Sequence, residues 1–282
     1  MSGTAAVEFK LGFGGYVTCF SGIARREFLR FVNQRERFFA ALVRPLVWLF
    51  IFAAGFRSIL GVSIIPPYET YVLYEVYVVP GLAVMIQLFN GMQSSLSMVY
   101  DREVGSMRVL LTSPFPRWFV LFGKLAAGVL VSLVQVYVFL AIAHFWEVEI
   151  PALGYLTALP ALVLTGMMLG SIGLFLSSLV RQLENFASVM NFVIFPMFFA
   201  SSALYPLWRI CESSEMLYLI CLANPFTHAV ELVRHALYSS FQPTALGVVA
   251  PVSIAFFVLA VMAYDPARGI MPRRGGPPGE MT

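Results

Sequence analysis

The stretch LAAGVLVSLVQVYVFLAIAHFW, Leu125–Trp146, decides the fold of this chain. It holds 22 residues without a single Asp, Glu, Lys or Arg. Because an α-helix needs about 20 apolar residues to cross the hydrocarbon core of a bilayer, this stretch predicts a membrane-spanning helix. The whole chain is 59% hydrophobic and only 12% charged, with a mean hydropathy of +0.81. Such a composition indicates an integral membrane protein and leaves no room for a soluble catalytic domain.

Five further spans are predicted around this one. Four come from charge-free runs of similar length, at Val76–Tyr100, Ile150–Val180, Asn185–Trp208 and Thr244–Tyr264. The first span, Phe38–Leu60, is less regular, because only 12 uncharged residues separate Arg44 from Arg57. Both guanidinium groups can reach outward to the headgroups, so a full span is favoured over a half-buried interfacial helix.

The distribution of cations predicts the orientation. With the N-terminus inside, the inner segments hold 15 of the 18 Lys and Arg residues, whereas seven acidic residues fall in the outer segments. Since cytoplasmic loops of membrane proteins carry an excess of Lys and Arg, both termini are predicted to be cytoplasmic.

The remaining segments complete an all-α layout. Residues 1–15 are predicted to be a flexible start, and residues 265–282 a flexible cytoplasmic tail. The spacing of apolar and charged residues in 16–37 predicts an amphipathic helix that lies in the headgroup plane. Its predicted membrane-interface cations are Arg26, Arg30 and Arg37. A six-span domain then occupies residues 38–264. Its segment 205–242 is predicted to form two short helices that dip into the outer leaflet, with a turn at Asn224 and Pro225.

Three cysteines give no metal-ligand spacing. Cys211 and Cys221 lie in the outer segment, where they either pair in an oxidising compartment or stay unlinked. No catalytic or metal site is predicted, since the three histidines are far apart near the outer ends of helices, and no nucleotide-binding motif is present. The predicted spans hold no Asp or Glu of the kind that ion-coupled transporters use. The chain therefore shows no energy source of its own.

The long charged interruption is YDREVGSMRVLLTSPFPRWFVLFGK, residues 100–124, which we call the coupling segment. It is too short for a domain and too amphipathic for a simple turn. Asp101 and Glu103 suit the start of a helix, because a carboxylate there interacts favourably with the helix dipole. Leu110 and Leu111 provide an apolar contact, and prolines end the helix before the next span. The segment is thus expected to hold a soluble cytoplasmic partner, although a solvated loop near lipid phosphates is the alternative.

Polar residues inside the spans give candidates for a substrate path. Gln87, Asn90, Ser94 and Ser97 recur every three or four residues, which places them on one face of the second span. Hydrogen bonding between helices explains the same pattern equally well. Asn191, close to Pro196 in the fifth span, is a further candidate. The spacing of Gly166, Gly170 and Gly173 favours close helix packing rather than chemistry.

The coupling segment resembles the signature of ABC-2-type permeases, the membrane subunits of type V ABC exporters. The matching residues are Glu103, Gly105, Leu110, Leu111, Thr112, Ser113, Pro114, Arg117, Gly123 and Lys124. The later NPFTHAVELVRHAL, residues 224–237, is similar to a second mark of this family. The amphipathic start, six spans and outer re-entrant hairpin also match its layout.

This resemblance implies a mechanism. Two copies of the permease pair around a path, and each holds a cytoplasmic ATPase subunit that binds ATP and Mg²⁺, in a 2:2 complex in a bacterial inner membrane. No cofactor is implied in this chain, and the partners are protein and lipid, not nucleic acid. The residues implied to contact the ATPase are Asp101, Glu103, Gly105, Arg108, Leu110, Leu111, Pro114 and Arg117.

The cargo is less constrained. The sequence of residues 42–81 resembles the branch of these permeases associated with pyrroloquinoline-quinone-dependent alcohol oxidation, which implies export of a small alcohol-related metabolite. The alternatives are export of a lipid, a drug, a glycolipid or a polysaccharide by the same machinery. An ion-coupled secondary transporter and a membrane enzyme or scaffold are the alternatives from other classes.

Overall fold

The computed structural model describes residues 12–33, 35–53, 55, 67, 73–103, 115–146, 148–180 and 182–264. The side chains of residues 35–38, 40, 52, 53, 102 and 103 lie outside this description. Within the described ranges every regular element is a helix, which confirms the predicted all-α class. The helices are α1 (Phe13–Asn33), α2 (Arg35–Val47, continued by a π-helical turn at Trp48–Ala53), α3 (Tyr74–Glu103), α4 (Arg117–Phe145), α5 (Ala152–Leu179), α6 (Leu183–Phe199), α7 (Leu207–Ser213), α8 (Glu215–Ala223), α9 (Pro225–Leu237) and α10 (Pro243–Ala263).

Four described helices are long and apolar enough to cross a membrane. They are α3, α4, α5 and α10, and they correspond to predicted spans two, three, four and six. Two shorter apolar helices, Ala41–Ile51 and Leu183–Phe199, stand at spans one and five, and the second half of the predicted Phe38–Leu60 lies largely outside the described residues. The pair α8 and α9, bent by 75°, qualifies as one further span or as a re-entrant loop. Six spans therefore remain a prediction.

The fifth span ends earlier than the predicted Trp208. Helix α6 stops at Phe199, where Ser201 Oγ donates to the Phe198 carbonyl at 2.6 Å and accepts from the Ala203 amide at 3.2 Å. A serine side chain that bonds to nearby backbone offers the chain an alternative to continuing the helix. A count of charge-free residues does not detect this turn, because every residue within it is uncharged.

The outer segment contains one more break than predicted. Three short helices, α7, α8 and α9, occupy it instead of two. Ser214 ends α7 and caps α8, because its side chain accepts a hydrogen bond from the Leu217 amide. The bend between α8 and α9 falls at Asn224.

Helix α3 lies at the centre of the bundle, with 83% of its most apolar window buried, whereas α10 is the most peripheral of the four long helices, at 22%. The close approach predicted for Gly166, Gly170 and Gly173 is confirmed, and the partner is α3. A Cβ atom on Gly91 of α3 would lie 3.0 Å from the Cα atom of Gly170. A Cβ atom on Gly173 would lie 2.6 Å from Ser95 Oγ. The two backbones therefore touch where the helices cross.

This crossing gives a first prediction. We expect Gly91→Ala to lower the free energy of unfolding by about 1–3 kcal/mol, because the added methyl group meets backbone atoms that cannot rotate away. Gly247→Ala in α10 is the matched control, since a Cβ atom there meets nothing within 4 Å. Thermal unfolding of the purified protein in detergent measures both. Equal melting temperatures for the two variants would contradict the crossing.

Helix α1 packs on the first turns of α4. The ring of Tyr16 meets those of Phe115 and Phe119 edge to face, with centroids 5.2 and 4.9 Å apart. Two turns further along the same face, Ile23 is buried against Gly123, whose Cβ atom would lie 3.1 Å from Ile23 Cδ1. The amphipathic helix is thus fixed to the point where the coupling segment ends.

Candidate functional site

Five charged side chains meet at the base of the coupling segment, and we call them the Asp101 cluster. Lys124 Nζ donates to Asp101 Oδ2 at 2.7 Å, and both residues are only 3% exposed. Arg26 and Arg30 of α1 approach the same carboxylate at 3.4 and 3.6 Å. Glu27 in turn contacts Arg26 at 3.0 Å and Arg30 at 3.6 Å.

The positions of Asp101 and Lys124 in the sequence explain where the cluster forms. Asp101 is the residue directly after the apolar run of α3, and Lys124 lies two turns into α4. These two residues stand near the two ends of the coupling segment, so the Asp101–Lys124 ion pair joins those ends. Helix α1 adds two guanidinium groups from the side. The cluster therefore joins three elements at one carboxylate.

The energetics make this junction rigid. Burying a charge is costly unless it is paired, and removing one partner of a buried pair typically costs about 3–5 kcal/mol. Asp101 has three cationic partners, whereas Lys124 has Asp101 as its hydrogen-bonded carboxylate. A displacement of either end of the coupling segment must break these contacts or carry α1 with it.

The structure corrects the prediction for the acidic pair. Asp101 and Glu103 lie in the last turn of α3, not at the start of a helix. A carboxylate is unfavourable at the negative end of the helix dipole, and the cations of the cluster compensate Asp101 there. The apolar run of α3 simply continues as helix into the charged sequence, which a count of apolar residues does not reveal.

The other predicted coupling residues lie mostly outside the described residues. This applies to Gly105, Arg108, Leu110, Leu111 and Pro114, and to the side chain of Glu103. Arg117 is exposed as the first residue of α4, after Pro116 at the N-cap. Helix α4 thus begins eight residues before the predicted start of its span at Leu125. The ATPase-contact role of all these residues stays a prediction.

The membrane-interface cations occupy a different environment from the one expected. The side chains of Arg26 and Arg30 turn toward Asp101 and Glu27, while Arg37 has its side chain outside the described part. The two arginines remain 39% and 29% exposed, so contact with the headgroup layer is still open to them.

The polar stripe of α3 divides into two parts. Gln87 is 1% exposed, donates to the Leu162 carbonyl at 2.7 Å and accepts from Thr165 Oγ1 at 2.7 Å, so it joins α3 to α5. Asn90 donates to Gln135 of α4. Both of these side chains therefore make hydrogen bonds between helices. Such bonding is the alternative to a substrate path given above for this stripe.

Ser94 and Ser97 line a cavity of about 60 Å³ between α1, α3 and α4. Asn90, Gln93 and Gln135 line it as well. Gln135 was missed from the sequence, since it stands alone in an apolar run. Gln93 lies three residues after Asn90 and four before Ser97, so the spacing of the stripe could have included it. Asn191 lies elsewhere, exposed on α6.

The outer turn is fixed by Asn224. Its Nδ2 atom donates to the carbonyls of Met197 at 2.8 Å and Ala200 at 2.6 Å, which are left without helical partners where α6 ends. Its Oδ1 atom accepts from the Phe226 amide at 3.0 Å and so caps α9. One carboxamide therefore joins the end of α6 to the bend before α9, and Pro225 fits the first turn of α9 because that position needs no N–H donor.

Other chemistry has little support in the described ranges. No group of three or more His, Cys, Asp or Glu side chains stands close enough there to hold a metal ion. Cys211 is exposed and Cys221 is buried, and neither is in a disulfide.

Comparison of the sequence with known proteins identifies the family of this chain. The profile of the ABC-2 type transporter family matches residues 18–238. The protein ycf38 of Porphyra purpurea, named as a transport permease, is 27% identical over 77% of this chain and 73% of its own length. YbhR of Escherichia coli K12, named as a multidrug ABC transporter permease, is 31% identical over 57% of this chain and 43% of its own. Nodulation protein J of Rhizobium leguminosarum bv. viciae is 29% identical over 40% of each chain. The chain belongs to the ABC-2 type transporter family and is the multi-pass membrane subunit of an ABC transporter.

Proposed function

We propose that this chain is the permease subunit of an ATP-driven exporter, and that a separate cytoplasmic ATPase drives it through the coupling segment. The observation that carries the proposal is the Asp101 cluster. A force applied to the coupling segment has to reach the spans, and the segment is joined at its base to α3, α4 and α1 by a buried ion pair. Because a packed, paired junction does not deform continuously, it passes a displacement on as a rigid-body movement.

The absence of a nucleotide-binding motif in the sequence supports an external source of energy. ATP and Mg²⁺ then belong to the partner subunit. The orientation that fits is the one predicted from the cations, with both termini and the coupling segment on the cytoplasmic side of a bacterial inner membrane.

Pairing with a second copy is part of the proposal. Helix α6 exposes Phe192, Phe195 and Phe199, at 80%, 52% and 43%. The amide of Asn191 is exposed on the same helix. A carboxamide in contact with lipid is unfavourable, whereas a facing helix or a substrate can satisfy it by hydrogen bonding. We infer that this face meets the second permease or lines the path between the two.

The proposed cargo is a hydrophobic or amphipathic small molecule that leaves the cytoplasm or the inner leaflet. The name of YbhR, a multidrug ABC transporter permease, favours this class. An alcohol-related metabolite, as the sequence branch implies, fits the same class. Lipid, glycolipid or polysaccharide export is the alternative, and the neighbouring genes of the chain would separate these cases.

The test is a purification of the tagged chain from its native membrane, followed by identification of bound ATPases. We expect an ATPase with Walker motifs to copurify, and the combination Glu103→Ala with Leu111→Asp to abolish its binding, because the apolar contact then carries a charge. Arg25→Ala, at an exposed site on α1, is the control and should retain the partner. Proton-driven transport by the chain alone in liposomes would overturn the proposal.

A further inference from the structure

Helix α2 carries a cation inside a predicted span. Arg44 is exposed on α2, and its guanidinium carbon lies 3.7 Å from the ring centroid of Phe89 on α3. Phe89 stands near the middle of the charge-free run Val76–Tyr100, about 18 Å along the helix from Asp101. The headgroups begin about 15 Å from the middle of the bilayer. The guanidinium group therefore lies at the level of the hydrocarbon core and does not reach outward as the sequence predicts.

No acidic group of the described residues neutralises this cation. Within the described ranges the Arg44 guanidinium contacts the Phe89 ring, and no carboxylate or hydrogen-bond acceptor pairs with it. A second copy of the chain would add no carboxylate at this depth, since none of the 15 Asp and Glu residues falls within a predicted span. A charge inside a bilayer is expensive, and such residues mark the routes of substrates and ions. Arg44 therefore indicates an anionic partner from outside the protein.

The surroundings of Arg44 form a groove between α2 and α6. Trp48, one turn after Arg44, meets the ring of Phe199 edge to face, with centroids 5.9 Å apart. Both helices run outward in the predicted orientation, so one turn back along each brings Arg44 level with Phe195. Asn191 lies one further turn inward, and both of these α6 side chains are exposed. The groove thus combines a guanidinium group, a carboxamide and aromatic rings.

This combination selects a class of molecule. A guanidinium group pairs with the oxygens of a carboxylate or phosphate, because its donors lie in one plane. The carboxamide adds a hydrogen bond, and the rings pack against an apolar body. The phosphate of a resident phospholipid stays in the headgroup layer, whereas a molecule in transit carries its polar group through the middle of the bilayer. The groove therefore fits an amphipathic anion that crosses the membrane.

We infer that the cargo is an amphipathic anion and that Arg44 binds its carboxylate or phosphate group on the way across. This inference rests on the proposed export function and adds the charge of the cargo to it. Pairing in the groove offsets the cost of removing both charges from water. A neutral alcohol would leave Arg44 unpaired, so cargoes with an acidic group are favoured among the candidates.

Binding of two matched probes to the purified full chain in neutral detergent tests the site. The probes are dansyl-aminoundecanoic acid and its primary amide, which share an apolar body and differ in charge. Energy transfer from tryptophan to the dansyl group reports binding, and Trp48 lies one turn from Arg44. We expect the ionised carboxylate to bind about tenfold more tightly than the amide, as for one charge-assisted hydrogen bond.

Arg44→Gln should remove this preference. It should weaken binding of the carboxylate about tenfold and leave binding of the amide as it was. Its melting temperature should not fall below that of the wild type, because the change removes an unpaired charge from an apolar environment. A clear fall would show that the cation has a structural role in place of a binding role. Arg25→Gln, the same change at an exposed position on α1, is the matched control and should keep the preference.

Several outcomes would overturn the inference. Equal binding of the two probes by the wild type would do so without any variant, and the proposed function would stand if the ATPase still copurified. An unchanged preference in Arg44→Gln would do so too, and an equal loss in Arg25→Gln would show diffuse surface attraction instead. Displacement of the carboxylate probe by excess phosphatidylglycerol would assign the groove to a lipid. A persisting preference without any copurifying ATPase would overturn the proposed function and leave the anion site standing.

Discussion

Replacing Asp101 by Asn should destabilise the protein strongly, by about 3–5 kcal/mol, because it leaves a buried cation without its carboxylate. Asn has the same shape, so packing is preserved and the charge is the only large change. Lys124 is 3% exposed and would keep a neutral amide where its carboxylate stood. Arg26 and Arg30 would lose the same partner. Thermal unfolding in detergent measures the loss.

The structure also predicts an asymmetry within this ion pair. Lys124→Met should cost less, about 1–3 kcal/mol, because Asp101 keeps Arg26 and Arg30 as cationic neighbours. The combination of Asp101→Asn with Lys124→Met should unfold at a higher temperature than Asp101→Asn alone, since no buried ammonium is then left unpaired. Equal losses for the two single variants, or additive losses in the combination, would show that the pair is not the centre of the junction.

A functional effect should accompany the loss of stability. If the Asp101 cluster transmits movement from the coupling segment, Lys124→Met should still bind the ATPase and show less transport for each ATP hydrolysed. Retained binding separates a defect of transmission from a defect of docking. Measured at a temperature well below unfolding, this ratio does not depend on the amount of folded protein.

The apolar runs predicted where most of the long helices lie, because hydropathy reports directly on burial in lipid. Helix α5 followed from charge-free sequence alone. The end of α3, the start of α4 and the end of α6 did not, since α3 and α4 extend into charged sequence and α6 stops at a serine turn within an apolar run. Helix termini depend on local side-chain hydrogen bonds, which composition does not contain.

The site was predictable only as a segment. The motif pointed to residues 100–124, but not to the contact of Lys124 with Asp101, 23 residues apart, or to the arrival of Arg26 and Arg30 from α1. These contacts depend on how three helices pack, and no spacing rule within one helix predicts them. The stripe on α3 was correctly identified as one face, while its division into helix contacts and cavity lining required the neighbouring helices.

Arg234 shows the same limit in the segment 205–242, which is predicted to be outer. The sequence places it in the family-like stretch 224–237 without a role of its own, yet it is 2% exposed and lies at the junction of α9, α3 and the turn after α6. Its Nη1 atom pairs with Glu231, and its Nη2 atom donates to the Ser202 carbonyl at 2.9 Å. The guanidinium carbon lies 4.0 Å from the ring centroid of Tyr77. Tyr77 donates to the same Ser202 carbonyl, so one carbonyl oxygen joins α3 and α9.

Replacing Arg234 by Lys should therefore remove most of this junction even though the charge is kept. A single ammonium group cannot pair with Glu231, bond the Ser202 carbonyl and stack on Tyr77 in one position, because it lacks the planar fork of a guanidinium. We expect the free energy of unfolding to fall by about 3–5 kcal/mol, the loss that follows disruption of a buried ion pair. Arg209→Lys, at an exposed site on α7, is the matched control and should change the melting temperature little. A wild-type melting temperature for Arg234→Lys would show that charge alone holds the junction, whereas a large loss in this variant and not in Arg209→Lys assigns it to the geometry of the guanidinium.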